Sequence, residues 1–140
     1  MSNEWKLDEL KKIIAKSTLE IKSFLLDQTK IAGVGNIYAS EILFRSGIHP
    51  ERKTDTLTEK EIKRLYKYVP LILQLAIDKM GTSLGDGKQN FRSLYNIEGE
   101  FQEMVQVYNR DAAPCYKCGS PIVRIKQKGR SSYFCGRCQK

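Results

Sequence analysis

The chain of 140 residues lacks any apolar run approaching the roughly 18 residues of a membrane-spanning helix, and its opening stretch, MSNEWKLDEL, lacks the apolar core of a signal peptide. Both absences point to an intracellular, cytoplasmic protein with no membrane partner. There is no internal repeat and no low-complexity tract. The length gives room for one respectable core, or a main domain with a small appendage, and is short for two full cores. Acidic residues are outnumbered, with 16 Asp and Glu against 24 Lys and Arg, a formal net charge of +8. From Cys115 to the C-terminus there is no acidic residue at all. A basic balance of this size favours a polyanionic partner, nucleic acid or an anionic surface, without selecting between them.

What is present reads as helices first and a small β unit last. Between Leu7 and Leu26 the apolar positions Leu7, Leu10, Ile13, Ile14, Ile21, Phe24 and Leu25 recur at helical spacing with lysines between them, which predicts one amphipathic helix. Asn36 is placed to cap a second helix, in which Ile37, Leu43 and Phe44 offer apolar contacts before Gly47 and Pro50 close it. A third starts at TEKE, where Thr58 and Glu61 have capping-box spacing, and continues through Ile62, Leu65, Val69, Leu73 and Ile77 towards Gly81. Pro70 should kink or divide it. The segment Gly81 to Gln102 is rich in glycine and polar residues and reads as a long loop, a length usually associated with function or disorder.

The most specific signal is a pair of C-x-x-C knuckles, CYKC at Cys115 to Cys118 and CGRC at Cys135 to Cys138, which hold all the cysteines of the chain. Their separation of 16 residues matches a four-thiolate zinc ribbon, in which each knuckle supplies two sulfurs from a tight turn and a hairpin brings the pairs to one ion. Gly119 and Gly136 are placed to help those turns. Two disulfides would require an oxidising compartment, and a redox pair would not need two matching knuckles. Four thiolates leave no open position for water, so one structural Zn²⁺ is expected.

The surroundings of that site are cationic. Lys117, Arg124, Lys126, Lys128, Arg130, Arg137 and Lys140 are seven positive charges, and a Zn²⁺ with four thiolates at −2 still leaves about +5. The hairpin turn, KQKGRSSYF, places Arg130 beside a glycine and two hydroxyls, which suits phosphate contacts. Tyr133 and Phe134 are expected to pack on the metal site. Upstream, the stretch KIAGVGNIYASEI sets Gly33 and Gly35 before Asn36. Such a G-x-G is either a plain turn between helices or a clearing that lets backbone N–H groups at a helix start meet an anion. With a cationic zinc hairpin downstream, a second phosphate clamp including Asn36 becomes the reading of interest.

These two motifs together carry a resemblance. LLDQTKIAGVGNIYASEILFRSGIHP, Leu25 to Pro50, resembles the helix–two-turn–helix signature of bacterial formamidopyrimidine-DNA glycosylase, and the stretch from VYNRD through CGRCQK resembles that family's terminal zinc finger. The related endonuclease VIII branch shares the architecture, but GNIYASEILFRSGIHP is more similar to the formamidopyrimidine branch. The resemblance implies a mainly α fold, with a helix–two-turn–helix DNA-binding domain over 1–102 and a four-Cys zinc-ribbon hairpin over 103–140. It implies double-stranded DNA, damaged or abasic, as partner, and localisation on the bacterial nucleoid when DNA-bound. By motif, Asn36 resembles the phosphate ligand of the helix–two-turn–helix, with Gly33 and Gly35 beside it, and Arg130, next to Lys128, the zinc-finger arginine that grips phosphate near the lesion. The segment 81–102 stands where the family carries a lesion-sensing loop.

Members of that family excise oxidised purines and cleave the abasic strand with an N-terminal proline followed by a glutamate, in a β-sandwich half for which this sequence offers no match. No catalytic residue is therefore assigned, and the chain is expected to act as a monomeric DNA-binding region, with a separate catalytic N-terminal half as a further partner. Two other classes stay open on the sequence: a residual abasic-site lyase using the N-terminal amine or a lysine, and a zinc-ribbon module for RNA or protein.

Overall fold

The computed structural model describes residues 6–27, 35–85 and 105–140, with side chains described outside 75–85. Among these residues, four α-helices, α1 (Leu7–Ala15), α2 (Ile21–Asp27), α3 (Asn36–Ser46) and α4 (Glu59–Gly85), with a short 3-10 helix (Thr54–Thr56) before α4, precede a hairpin of β1 (Val123–Gln127) and β2 (Arg130–Phe134). The helices enclose one core of Leu10, Ile14, Ile21, Phe24, Leu25, Ala39, Ile42, Leu43, Ile48, Ile62, Leu65, Val69, Ile72 and Leu73. Most positions predicted from helical periodicity are there; Ile37 is only half-buried, and Ala39 and Ile42 line α3 instead.

The predicted single helix over Leu7–Leu26 is two. The Ser17 hydroxyl accepts from the Leu19 N–H, a local bond that competes with helix propagation. The N–H groups at the start of α2 are then satisfied from a distance: Ile21 donates to the Arg52 carbonyl at 2.6 Å and Lys22 to that of Pro50 at 3.2 Å, while Thr54 donates to Leu19 at 2.9 Å. Periodicity survives the break because both pieces bury the same face.

α3 starts at Gly35, which holds the N-cap position in an extended conformation without a side-chain cap. Asn36 is therefore the first helical residue and not the cap: its side-chain amide donates to the Ser131 carbonyl at 3.1 Å. At the other end Gly47 adopts φ 72° and completes a Schellman turn, its N–H on the Phe44 carbonyl and that of Ile48 on Leu43. α4 opens with the expected capping box, Thr58 N–H on Glu61 Oε1 at 2.8 Å and Glu61 N–H on Thr58 Oγ1 at 3.2 Å. Pro70 lies inside α4 without dividing it, and the helix continues to Gly85, so the predicted loop over Gly81–Gln102 begins as helix. Its remaining residues, 86–102, lie outside the described residues.

A second, smaller core joins α3 to the C-terminal unit: Phe44 packs with Val107, Cys115, Ile122, Tyr133 and Cys135. Next to Phe44's turn, the fully buried carboxylate of Glu41 accepts the successive N–H groups of Gln106, Val107 and Tyr108 at 2.8, 2.9 and 3.0 Å. Burial pushes the Glu41 carboxyl above its usual range, and the three amides and Arg45 pull against that rise. The C-terminus is tied down as well. Gln139 receives the Cys135 N–H and donates to the Ile48 carbonyl, Lys140 N–H reaches the Gly47 carbonyl, and Arg52 spans the Glu61 carboxylate and the Lys140 carbonyl.

Removing Glu41 strands three amide donors at once. Glu41→Ala is expected to lower unfolding free energy by about 3 kcal/mol or more, since each buried unpaired amide costs roughly 1 kcal/mol or more. Urea denaturation followed by circular dichroism measures it, and Glu41→Gln, which keeps an acceptor, should lose less.

Candidate functional site

The hairpin is built by its turn. Register pairs Gln127 with Arg130, leaving Lys128 and Gly129 as a two-residue connection. Both have positive φ, 50° and 83°, the type I′ geometry that suits the twist of the flanking strands. Glycine adopts that conformation freely, whereas Lys128 is held there by the tightness of the turn.

At the opposite end the four cysteines converge, with all four Sγ atoms within 4.8 Å of one another. Cys115 and Cys138 sulfurs stand 3.8 Å apart and those of Cys118 and Cys135 3.4 Å. A tetrahedron with metal–sulfur bonds of about 2.3 Å has edges of about 3.8 Å. The thiols are thus positioned to hold one metal ion, and an all-thiolate closed set is that of structural zinc. Knuckle amides support the charge: Lys117 N–H points to Cys115 Sγ and Cys138 N–H to Cys135 Sγ, each at 3.4 Å. Ser120, through its backbone first, pulls the Cys118 thiol down to about 6, whereas burial and the neighbouring thiols push Cys138 up to about 12. Four thiolates so close together need a cation between them. Of the two glycines expected to help, Gly119 does so with φ 79°, but Gly136 has no positive φ. Tyr133 and Phe134 are packing residues as expected: Tyr133 meets Tyr108 edge-on and donates to Asn109, and Phe134 lies 4.3 Å from the His49 ring.

The remaining candidate residues gather where the hairpin meets α2 and α3. Arg130 is exposed at the start of β2, and Asn36 reaches the carbonyl of its neighbour Ser131. Lys128 is exposed at the turn, its ammonium 4.0 Å from Glu20. Gly35 has open space where a Cβ would stand, with no atom within 4 Å. Gly33 lies outside the described residues. Beside Arg130 a groove of about 380 Å³ is lined by Leu19, Lys22, Leu26, Gln127, Lys128 and Arg130, among others.

Sequence patterning missed the side chains beneath this surface. Lys22 looks like one more solvated lysine of an amphipathic helix, yet it is 1 % exposed. Its ammonium donates to the Ser131 carbonyl at 2.9 Å and to Ser132 Oγ at 2.6 Å. Burial, and then the nearby Arg130 guanidinium, lower its pKa to about 8. Ser132 and Gln127, likewise buried, continue the chain of bonds. Nothing in the local sequence marks them, because each is buried only by contact between the hairpin and the helices.

Comparison with known proteins agrees with this architecture. Residues 1–86 match the family described as "Formamidopyrimidine-DNA glycosylase H2TH domain", and residues 114–140 match "Zinc finger found in FPG and IleRS". Helices followed by a four-cysteine hairpin thus define a helix–two-turn–helix protein with an Fpg-type zinc finger. The chain belongs to the formamidopyrimidine-DNA glycosylase family. It is 48% identical over 131 residues to the formamidopyrimidine-DNA glycosylase of Pelotomaculum thermopropionicum, covering 94% of this chain and 46% of that protein. With the protein of the same name from Heliobacterium modesticaldum it shares 41% over 140 residues, 100% of this chain and 49% of that one. Lactococcus lactis Fpg in complex with abasic-site DNA superposes with a TM-score of 0.85 at 36% identity, over 100% of this chain and 49% of that one. MutM in complex with carbocyclic 8-oxo-G DNA gives 0.83 at 35%, over 100% and 48%. The chain spans about half the length of the curated relatives it matches.

Metal removal should have a structural outcome. Elemental analysis is expected to give one zinc per chain. Chelation should unfold the hairpin, because a segment of 26 residues has too little apolar surface to fold unaided. Zinc should also be lost on acidification, since protons compete for the thiolates; near-ultraviolet circular dichroism around Tyr133 reports both.

Proposed function

We propose that this chain is the DNA-holding region of a formamidopyrimidine-DNA glycosylase-like base-excision repair protein, gripping damaged or abasic duplex through its phosphates. In this reading residues 1–102 form the helix–two-turn–helix unit and 103–140 the zinc finger. Asn36 and Arg130 are the two phosphate ligands, with Lys128 beside them and Gly33 and Gly35 clearing the approach. The observation that carries the reading is the meeting of motifs distant in sequence: Asn36 Nδ2 donates to Ser131, the neighbour of the exposed Arg130. Solved relatives at 36% and 37% identity are complexes of Lactococcus lactis Fpg with abasic-site and FAPY-dG DNA, which supports damaged DNA as the ligand class. Base removal requires a nucleophile aimed at the sugar and a pocket around the extruded base, and neither is assigned to residues of this chain.

Residual lyase activity is the second reading, and it has one observation in its favour: Lys22 is an amine with a pKa lowered to about 8. Its burial and its bonds to two oxygens oppose nucleophilic use, so holding DNA ranks first.

Phosphate contacts position a protein without reading bases. Arg130→Ala is therefore expected to weaken binding to different duplex sequences about equally and to reduce the slope of log K against log salt by about one phosphate contact. Fluorescence anisotropy across a salt series measures it; a sequence-selective loss, or none, would count against the assignment. Asn36→Ala, which removes no charge, should weaken binding across duplex sequences while leaving the salt slope unchanged, with thermal unfolding as control for its Ser131 bond. Stoichiometric chain incubated with duplex containing 8-oxoguanine is expected to release no free base. Borohydride trapping on abasic DNA decides the second reading: a covalent adduct that disappears in Lys22→Arg would establish a lysine lyase.

A further inference from the structure

The exposed Arg130 is two residues from Ser132, one of a set of buried, hydrogen-bonded polar side chains with Gln127 and Lys22. Ser132 Oγ, 0 % exposed, donates to Gln127 Oε1 at 2.6 Å and accepts from Lys22 Nζ at 2.6 Å. Gln127, 6 % exposed, passes its own amide protons to the Pro50 carbonyl at 3.0 Å and Glu20 Oε1 at 3.3 Å. Lys22 returns to the hairpin at the Ser131 carbonyl, the same oxygen that Asn36 uses. The chain of bonds therefore begins on α2, crosses both strands, and ends on the Pro50 carbonyl, between α3 and α4.

Gln127 and Arg130 are register partners on either side of the Lys128–Gly129 turn. Fixing Gln127 and Ser132 fixes the backbone on both flanks of Arg130. A two-stranded hairpin is marginal by itself, and the zinc knuckles hold only its far end. Without the buried bonds, the tip, which lies beyond the shared core, would lose most of its ties to α2. The Lys22 ammonium behind the tip also disfavours an inward turn of the Arg130 guanidinium, by like-charge repulsion.

We infer that Ser132 and Gln127 are positioning residues, which with Lys22 hold the hairpin tip so that Arg130 stands ready beside Asn36. The inference rests on the phosphate-grip reading above. Holding the clamp in place before contact removes the ordering cost from binding. Losing the relay should then weaken binding while leaving the number of phosphates contacted unchanged.

The test uses the zinc-loaded chain and a duplex carrying a tetrahydrofuran abasic-site analogue. Ser132→Ala and Gln127→Met are each expected to raise Kd roughly tenfold, the scale of one buried hydrogen bond, with an unchanged salt slope and one zinc retained. Ser132→Thr, which keeps the hydroxyl, should restore most of the affinity. In an Arg130→Ala background, Ser132→Ala should cost little more, because Ser132 acts through Arg130. Equal losses in both backgrounds, or no loss in either single variant, would overturn the inference. Should Ser132→Ala fail to fold, Gln127→Met carries the same comparison. If Arg130→Ala binds as tightly as the parent chain, it is the phosphate-grip reading that falls. Hydrogen exchange at residues 128–131 then still decides the relay: faster exchange in Ser132→Ala, with protected knuckles, supports it, and unchanged exchange refutes it.

Discussion

Helix α3 is buried on more than one side, and the arrangement of the whole chain follows from that constraint. Seven of its eleven residues are buried. Ala39, Ile42 and Leu43 complete the helical core, while Phe44 is committed to the zinc-finger core and Glu41 to the amides that lead into it. A helix with one apolar stripe could serve only one of these partners. Because α3 serves both, the two cores share a wall, and the finger cannot turn freely against the helices.

Within that frame, metal and polar contacts have different tasks. The zinc site gives the C-terminal hairpin an interior that its few apolar side chains could not supply. It says nothing about where the hairpin lies on the helices. That placement comes from the shared α3 wall together with directional bonds: Gln139 to Ile48, Lys140 to Gly47, Arg52 to Lys140, and Lys22 and Asn36 to the hairpin backbone. Burying Lys22 is costly unless its ammonium is well solvated by the protein. Two oxygens meet that requirement, and a lowered pKa records the remaining cost. The proposed grip on DNA uses the outer face of the same arrangement, where Arg130 and Lys128 are exposed.

Several features were legible because their causes are local. Four cysteines in two knuckles must face one another once a hairpin forms between them, and the thiol cluster follows from spacing. The Thr58–Glu61 capping box and the Gly47 turn concern atoms within a few residues of one another, so their side-chain types suffice to define them. Helical periodicity located most of the core for the same reason.

Other features were decided by contacts between segments distant in the chain. Leu7 to Leu26 keeps a helical pattern throughout, yet carbonyls of Pro50 and Arg52 capture the amides that divide it. Asn36 has the composition of a helix cap, but Ser131, far along the chain, offers its amide a carbonyl, and Gly35 takes the cap position. Lys22, Gln127 and Ser132 carry no mark of burial in their own neighbourhoods. Sequence alone determined the zinc ligands, the helical class and the family; tertiary structure alone decided which polar side chains went inside, because a buried hydrogen bond exists only when folding brings its partner.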